Sequence, residues 1–387
     1  MIILGVETTC DESGIALIQI ENENYNAKMP KDISLGFSAP KTAKAVFGIL
    51  ANKIATQYSI HSKYGGIVPI LAAREHRKNL PIIYKDALKQ AKIKPEQIDY
   101  IAFAFGPGLA PALIAGKEFV SELSKKLGKP IIPVNHLFGH LVIAEFKGLK
   151  IPKFNKIEFP ALGLIVSGGH TTILKMDSIF EYKKIGETQD DAIGESLDKA
   201  GRALGLEYPG GPKIEKLAKE GRAVFTLPRP MSLQKNLNLS FAGLKVSFIK
   251  LIDEIKKFNR FDENIKADLA ASFQKAAFDS LLIKVRRAVE IYKPKSLVVG
   301  GGVIANQTLQ NLIIQMFSAK GGFANGEKGI NAEKCQKYKN TFGIYFPDKQ
   351  LATDNGVQIA LAGYFLLQKG VELENFDSID INANLQI

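Results

Sequence analysis

The chain has 387 residues, of which 46% are hydrophobic and 23% are charged. This length is enough for two or three domains with their own cores, and no apolar run is long enough to cross a membrane. Its two cysteines, Cys10 and Cys335, provide no disulfide framework, and the N-terminus lacks the basic flank of a signal peptide. We therefore expect a cytoplasmic protein with no membrane segment.

The formal net charge is +12, with a pI near 9.3. A polyanionic partner would explain this charge, because Lys and Arg release counterions when they bind phosphates. The solvated faces of a lysine-rich protein would explain it equally well, since the lysines cluster only locally. The clusters are Lys125/Lys126/Lys129, Lys183/Lys184, Lys256/Lys257/Arg260 and Lys334/Lys337/Lys339.

Residues 2–18 predict a strand, an acidic turn and a second strand. The turn carries Glu7, Asp11 and Glu12. Residues 161–174 repeat this plan about one domain later, which indicates a duplicated fold whose two turns face each other across a cleft. Asp and Ser also form turns for local reasons, so the acidic turn has a purely structural alternative.

Between these units, the pattern predicts helices over 41–58 and from about Leu71 to Ala91. A strand at Tyr100–Phe105 then leads through Gly106-Pro107-Gly108 into a helix that reaches Leu127. A strand, glycines and a helix in this order are typical of an anion site at a helix N-terminus. A tight turn into the helix, marked by the prolines, is the alternative.

Asn135 is placed as the cap of a helix that starts with His136-Leu137-Phe138-Gly139-His140. The spacing of four residues puts both imidazoles on one helix face, where they can bind one metal ion. The pattern has little specificity without a third ligand. A metalloprotease normally has Glu directly after the first His, and Leu137 occupies that place.

The strand at 161–166 ends in the turn Ser167-Gly168-Gly169-His170-Thr171. Adjacent glycines after a buried strand let a phosphate approach the backbone N–H groups, because no Cβ intervenes. An acidic helix start with Asp198, and then the turn Tyr208-Pro209-Gly210-Gly211-Pro212, follow. The segment is shaped to hold a phosphorylated ligand, and a hairpin with ordinary caps is the simpler alternative.

In the last third of the chain, residues 264–292 predict a long amphipathic helix whose apolar stripe belongs to the core. The strand Ser296–Val299 then ends in Gly300-Gly301-Gly302 and Asn306. This turn either lies against an adenine or ribose, with Asn306 supplying its amide, or packs the strand closely on the helix.

Asp354 stands at the start of a helix that ends at Gly370. It is either an N-terminal cap or a third ligand beside His136 and His140. Two histidines and one carboxylate with open positions suit Fe(II) or Zn(II).

Taken together, these stretches resemble one family, the universal tRNA N6-adenosine threonylcarbamoyltransferases, earlier known as O-sialoglycoprotein endopeptidases. The resemblance covers nearly the whole chain, and it is specific because the motifs occur in one order. They are Val6–Glu12, Tyr64–Pro69, Gly106–Leu109, His136–His140, Val166–Thr171, Asp190–Ala192, Asp198-Lys199, Tyr208–Pro212, Phe241–Lys245, Gly301–Val303, Asn306 and Thr353–Asn355.

The resemblance implies an α/β protein with the actin-like ATPase (ASKHA) fold, in which two duplicated RNase H-like domains face each other across a nucleotide cleft. The first domain would comprise residues 1–145 and 350–387, because the C-terminal helix has to return for Asp354 to meet His136. The second domain would comprise residues 146–349, with an insertion near 318–345.

The resemblance also implies roles for individual residues. Asp11 and Glu12 would be catalytic, and His136, His140 and Asp354 would bind a divalent metal, Fe(II) in preference to Zn(II). The substrate threonylcarbamoyl-AMP would be held by Ile165, Val166, Ser167, Gly168, Gly169, Asp198, Gly211 and Asn306.

The implied reaction transfers the threonylcarbamoyl group to N6 of adenosine 37 in tRNAs that read codons beginning with A, and releases AMP. In bacteria, the partners would be a degenerate paralogue and a small P-loop ATPase. An ATPase or sugar kinase of the same fold is the alternative. This chain departs from the family where Phe138 replaces a usual Glu, Ala242 a usual Ser, Ala352 a usual Cys and Gln358 a usual Met.

Overall fold

The computed structural model describes residues 1–22, 45–147, 153–154, 157–259, 261–317, 342–374 and 378–387. Two five-stranded sheets organise this part of the chain. Both combine an antiparallel hairpin with parallel strands, and parallel neighbours need long, usually helical, crossovers. The α/β class expected from the sequence is confirmed.

The first sheet contains β1 (Ile2–Glu7), β2 (Glu12–Asn22), β3 (Ala45–Thr56), β4 (Tyr100–Gly106) and β5 (Ile131–Asn135). Its spatial order is β3-β2-β1-β4-β5. The strands β1, β2 and β3 pair antiparallel, whereas β4 lies parallel to both β1 and β5. The carboxyl ends of β1, β4 and β5 therefore meet at one edge of the sheet.

After a short pair, β6 (Phe146–Lys147) and β7 (Lys153–Phe154), the second sheet contains β8 (Ala161–Val166), β9 (Thr171–Met176), β10 (Tyr182–Glu187), β11 (Ser296–Gly300) and β12 (Gly343–Tyr345). Its order, β10-β9-β8-β11-β12, repeats the first sheet strand for strand. The strand directions repeat as well. The duplicated, actin-like fold is therefore confirmed.

The helices are α1 (Tyr58–His61), α2 (Pro69–Ala91), α3 (Ala110–Leu127), α4 (His136–Val142), α5 (Ile193–Ala203), α6 (Gly210–Ala218), α7 (Ala242–Lys257), α8 (Glu263–Tyr292), α9 (Gln307–Phe317) and α10 (Gly356–Lys369). Short 3-10 segments occupy Ser62–Tyr64, Pro95–Gln97, Ile143–Glu145, Gly302–Ala305 and Lys349–Leu351. None of the described helices is long and apolar enough to span a bilayer.

Buried apolar side chains of the described residues form three clusters, because strand side chains alternate between the two faces of each sheet. One face of the first sheet packs on α2 and α3. Its other face, with Ile3 and Ala16, shares a cluster with α4, α10 and Ile165 of the second sheet. The remaining face of the second sheet packs under α5 to α9. The middle cluster therefore joins the two halves beneath the cleft.

Helix α10 starts directly on the first sheet because glycines leave room for its backbone. A Cβ on Gly5 would overlap the carbonyl oxygen of Gly356, and a Cβ on Gly14 would lie 2.9 Å from the amide nitrogen of Gly356. The start of α10 is therefore held against β1 and β2. This contact places Asp354, two residues earlier, beside the end of β1.

One local prediction is wrong. Residues 41–58 predict a helix, but Ala45–Thr56 form β3, which pairs with β2 along its whole length. Pairing with a strand more than 20 residues away outweighs a weak helical pattern, and nothing local reports that pairing. Most of the predicted insertion (318–341) and Cys335 lie outside the described residues. The proposed domain boundaries stay a prediction.

Candidate active site

The two histidines of the H-x-x-x-H pattern lie on α4, at the carboxyl end of β5. Asn135 caps this helix, because its Oδ1 accepts hydrogen bonds from the backbone N–H groups of Leu137 (2.9 Å) and Phe138 (3.3 Å). The rings of His136 and His140 are 4.6 Å apart between centroids. Both are buried, so the cap and the helical spacing give the protein a preorganised pair of imidazoles.

Asp354 meets both histidines from the other end of the sequence. Its Oδ1 lies 3.2 Å from His140 Nε2 and 3.7 Å from His136 Nε2. The cap of α10 is the next residue, Asn355, whose Oδ1 accepts from the N–H groups of Val357 and Gln358. Asp354 therefore does not cap α10, and its carboxylate is available to the two histidines.

The three side chains fit a divalent cation. One ligand atom from each lies within 4.8 Å of the other two. The His140 ring is buried, its Nε2 faces Asp354, and its Nδ1 has no hydrogen-bond partner among the described residues. A buried polar atom without a partner is costly. Burial alone would raise the pKa of Asp354, but the two histidines lower it to about 2.

Sequence reasoning missed the role of Glu7. Its Oε2 lies 2.8 Å from His136 Nδ1, and its Oε1 accepts from the backbone N–H of Thr9 at 2.6 Å. A metal-bound histidine usually donates its second N–H to such a carboxylate. The two residues are 129 positions apart, and no local signal connects them.

The acidic turn between β1 and β2 is closed by two tyrosines. The phenol of Tyr208 donates to Asp11 Oδ2 at 2.9 Å, and the phenol of Tyr58 donates to Glu12 Oε1. Both carboxylates are buried. Burial, then the charges of Asp11 and Asp354, raise the pKa of Glu12 well above its usual range. The buried pair is thus held by phenol donors from both halves of the molecule.

The second turn exposes backbone. The N–H of Ser167 donates to the His170 carbonyl at 2.8 Å, and the N–H of His170 donates to Ser167 Oγ at 3.0 Å. Apart from its chain neighbours, no atom of the described residues lies within 4 Å of where a Cβ of Gly168 or Gly169 would be. Ile165 and Val166, which precede this turn, are fully buried and pair with β9.

This turn faces the metal site. Burial, then the charges of His136 and His140, lower the pKa of His170 to about 4. At the end of β11, a Cβ on Gly300 would overlap the carbonyl oxygen of His140. The second sheet is therefore pressed against α4, and the two turns face each other as expected.

Three further predicted substrate residues are engaged within the protein. Asp198 Oδ1 accepts from the N–H groups of Gly210 (2.8 Å) and Gly211 (3.0 Å), and burial raises the pKa of Asp198 to about 6 despite these bonds. Asn306 donates from Nδ2 to Gln274 and accepts with Oδ1 from the N–H of Leu309. Of this set, the second oxygen of Asp198 remains the most available polar atom.

Other polar motifs serve structure. Asp190 caps α7 by accepting from the N–H groups of Phe241 and Ala242. The loop 106–108 expected to bind an anion is covered by the C-terminal segment, because the N–H of Gly108 donates to the Ala383 carbonyl at 3.2 Å. Gly301, at φ 95°, lies where a Cβ would overlap the Val166 carbonyl oxygen. The glycine at this position therefore permits close packing between the turn after β11 and the end of β8.

Comparison with known proteins identifies the family to which this chain is similar. The model of the family TsaD, tRNA N6-adenosine threonylcarbamoyltransferase, matches residues 48–361. The proteins of that name from Thermosipho africanus (strain TCF52B) and Dichelobacter nodosus (strain VCS1703A) are 38% and 37% identical to this chain. Each alignment covers 100% of this chain, and they cover 100% and 96% of those proteins, respectively.

Two solved structures are more distantly similar. Full-length HypF, in a phosphate- and nucleotide-bound form, is 12% identical with a TM-score of 0.49, over 94% of this chain and 55% of HypF. YeaZ from Pseudomonas aeruginosa is 16% identical with a TM-score of 0.26, over 48% of this chain and 65% of YeaZ. Family membership depends on the sequence matches over the whole chain. The chain belongs to the tRNA N6-adenosine threonylcarbamoyltransferase family.

Proposed function

We propose that this chain transfers a threonylcarbamoyl group from threonylcarbamoyl-AMP to N6 of adenosine 37 in tRNAs that read codons beginning with A. Family membership supports the acyl transfer to tRNA. The observation that carries the proposal at the level of the site is the convergence of three features on one cleft. These are the acidic turn, the His136/His140/Asp354 set and the open glycine turn.

The exocyclic amine of adenosine is a weak nucleophile, so the acyl donor must be activated. In the proposed reaction, N6 forms a bond to the carbamoyl carbon while the bond from that carbon to the phosphate oxygen breaks. AMP leaves with the electron pair, and N6 loses one proton. A positioned carboxylate that accepts this proton contributes roughly 10² to 10⁴-fold to the rate.

Asp11 is the better base of the acidic pair. Burial raises the pKa of Glu12 well above its usual range, which favours its neutral form. Asp11 would then accept the N6 proton, and Glu12 would keep its hydrogen bond with Tyr58.

The second turn would hold the donor. The backbone at Gly168 and Gly169 is open to the cleft, and the start of α5 packs on this turn, where the N–H of Ile193 donates to Thr171 Oγ1 at 2.9 Å. Successive backbone N–H groups in a glycine turn can form a concave site for an anionic oxygen. Ser167, Asp198, Gly211 and Asn306 would complete the donor site, and Ile165 and Val166 would support it as the buried strand end that carries the turn. Positioning the carbonyl for attack would then supply much of the rate.

His136, His140 and Asp354 would hold one divalent metal, Fe(II) in preference to Zn(II), because two histidines and one carboxylate with open positions suit that ion. When bound, the metal supplies positive charge that stabilises negative charge on the donor's oxygens. Glu7 would orient His136, as carboxylates do around metal-bound histidines.

The proposed partners are tRNA and threonylcarbamoyl-AMP, together with a degenerate paralogue and a small P-loop ATPase if the source is bacterial. A tRNA substrate agrees with a cytoplasmic location. No observation favours the ATPase or sugar kinase alternative.

The test is incubation of the purified protein, alone and with the proposed partner proteins, with unmodified tRNA and synthetic threonylcarbamoyl-AMP. Nucleoside analysis should find threonylcarbamoyl-adenosine at position 37 and one AMP released for each modification. ATP hydrolysis or sugar phosphorylation without any modified nucleoside would overturn the proposal.

A further inference from the structure

The acidic turn is held by two hydroxyl groups that come from different halves of the molecule. Tyr58 follows β3 in the first half and donates to Glu12. Tyr208 lies between α5 and α6 in the second half and donates to Asp11 Oδ2 at 2.9 Å, across 197 positions of sequence. The two rings pack edge to face, with centroids 6.0 Å apart. The bond to Asp11 therefore exists only while the two halves are together.

The segment that carries Tyr208 is clamped onto α5. Two residues later, the N–H groups of Gly210 and Gly211 donate to Asp198 Oδ1. A Cβ on Gly210 would lie 2.9 Å from Asp198 Cα, and a Cβ on Gly201 would lie 2.8 Å from Gly210 Cα. No side chain fits at either glycine, so the backbone of this segment follows α5 closely. The position of the phenol is therefore set by the same contacts that hold Asp198.

We propose that Tyr208 is a positioning residue for the transfer, which fixes Asp11 for proton acceptance when the halves of the cleft are together. This inference rests on the proposed function, in which Asp11 is the base. The phenol binds one carboxylate oxygen, Oδ2, and the other oxygen would take the N6 proton. The hydrogen bond also restrains the carboxylate beside its acidic neighbour Glu12, and productive geometry of a base is worth a large factor in rate.

The inference links donor binding to base positioning. Asp198 belongs to the proposed donor site, and it contacts the backbone only two residues from Tyr208. A donor seated at Asp198 would stabilise this segment in the position where the phenol reaches Asp11. Donor binding would then stabilise the arrangement in which Tyr208 fixes the base.

Tyr208→Phe tests the inference, because it keeps the ring and its packing against Tyr58 and removes only the hydroxyl. We expect kcat to fall by roughly 10-fold or more, the scale of one lost hydrogen bond to a charged group. The KM for threonylcarbamoyl-AMP should stay within about twofold, since Asp198 and its N–H donors are untouched. The matched control is Tyr292→Phe, at the end of α8 and outside the cleft, which should leave both constants unchanged.

A double-mutant cycle separates positioning from a general structural role. If Tyr208 acts through Asp11, then Asp11→Asn/Tyr208→Phe should be no slower than Asp11→Asn alone. Multiplied losses in the double variant, or a wild-type kcat for Tyr208→Phe, would overturn the inference. Melting temperatures and metal content should match the wild type, which verifies that each variant is folded.

The same cycle tells the two proposals apart. A wild-type rate for Asp11→Asn removes the proposed base, and the role of Tyr208 goes with it. If kcat falls in Asp11→Asn but is unchanged in Tyr208→Phe, Asp11 remains the proposed base and only the positioning role of Tyr208 is rejected.

Discussion

The two hairpin turns that face each other share a topology and differ in chemistry. The turn between β1 and β2 is buried and acidic: Thr8, Thr9 and Asp11 are at most 3% exposed. The turn between β8 and β9 leaves Gly168 and Gly169 open. One hairpin thus presents carboxylates and the other bare backbone N–H groups. A duplicated fold can therefore place two different chemistries on opposite walls of one cleft.

The largest effect should come from the proposed metal ligands, which lie between the two turns. His136→Ala, His140→Ala and Asp354→Ala should each abolish bound metal and nearly all transfer, because two remaining ligands hold a divalent ion poorly. Elemental analysis of the purified variants measures this loss directly. The control is Asp380→Ala, since that exposed carboxylate binds Lys117 and the backbone N–H of Ile381 and contacts neither histidine. Unchanged metal content in all three variants would show that these residues do not bind the metal.

The acidic turn is tested by Asp11→Asn. The amide keeps the size and the contact with Tyr208 but accepts no proton at neutral pH. Transfer should fall by roughly 10² to 10⁴-fold. Donor binding, followed by calorimetry, and metal content should remain near the wild-type values. A wild-type rate would mean that the acidic turn is structural, and the base would have to be sought elsewhere.

The glycine turn is tested by Gly168→Val. Because a Cβ at Gly168 meets no atom within 4 Å, the free energy of unfolding should change by less than about 0.5 kcal/mol. The KM for the donor should rise by roughly 10-fold, since the side chain would cover backbone N–H groups that the phosphate approaches.

Gly301→Ala is the matched contrast. At φ 95° and against the Val166 carbonyl, the added Cβ should lower the free energy of unfolding by more than about 1 kcal/mol. Denaturant titration measures both variants. Equal destabilisation of the two would contradict an open turn at Gly168.

The smallest expected effect concerns tRNA itself. Neither turn carries Lys or Arg, so the attraction of tRNA should come from basic residues outside the two turns. Raising salt from 50 to 200 mM should weaken tRNA binding by about 10-fold or more, as counterion release from two or more phosphates requires. Filter binding over this range measures the slope. A flat slope would assign the net charge of +12 to solubility alone.

The sequence by itself determined the features that depend on local spacing. The four-residue separation of His136 and His140 put two imidazoles on one helix face. The apolar repeat over 264–292 predicted α8, which spans Glu263–Tyr292. The motifs, in their order along the chain, predicted the family and its duplicated α/β fold, since a motif is recognised from consecutive residues alone.

Tertiary structure decided what depends on distant partners. Ala45–Thr56 became an edge strand by pairing with β2. Glu7 contacts His136, and Tyr208 donates to Asp11. The C-terminal segment covers the loop 106–108. Tertiary structure also left the capping of α10 to Asn355, so that Asp354 is available to the histidines. These contacts join residues far apart in sequence, and their free energy comes from burial and pairing that no local pattern encodes.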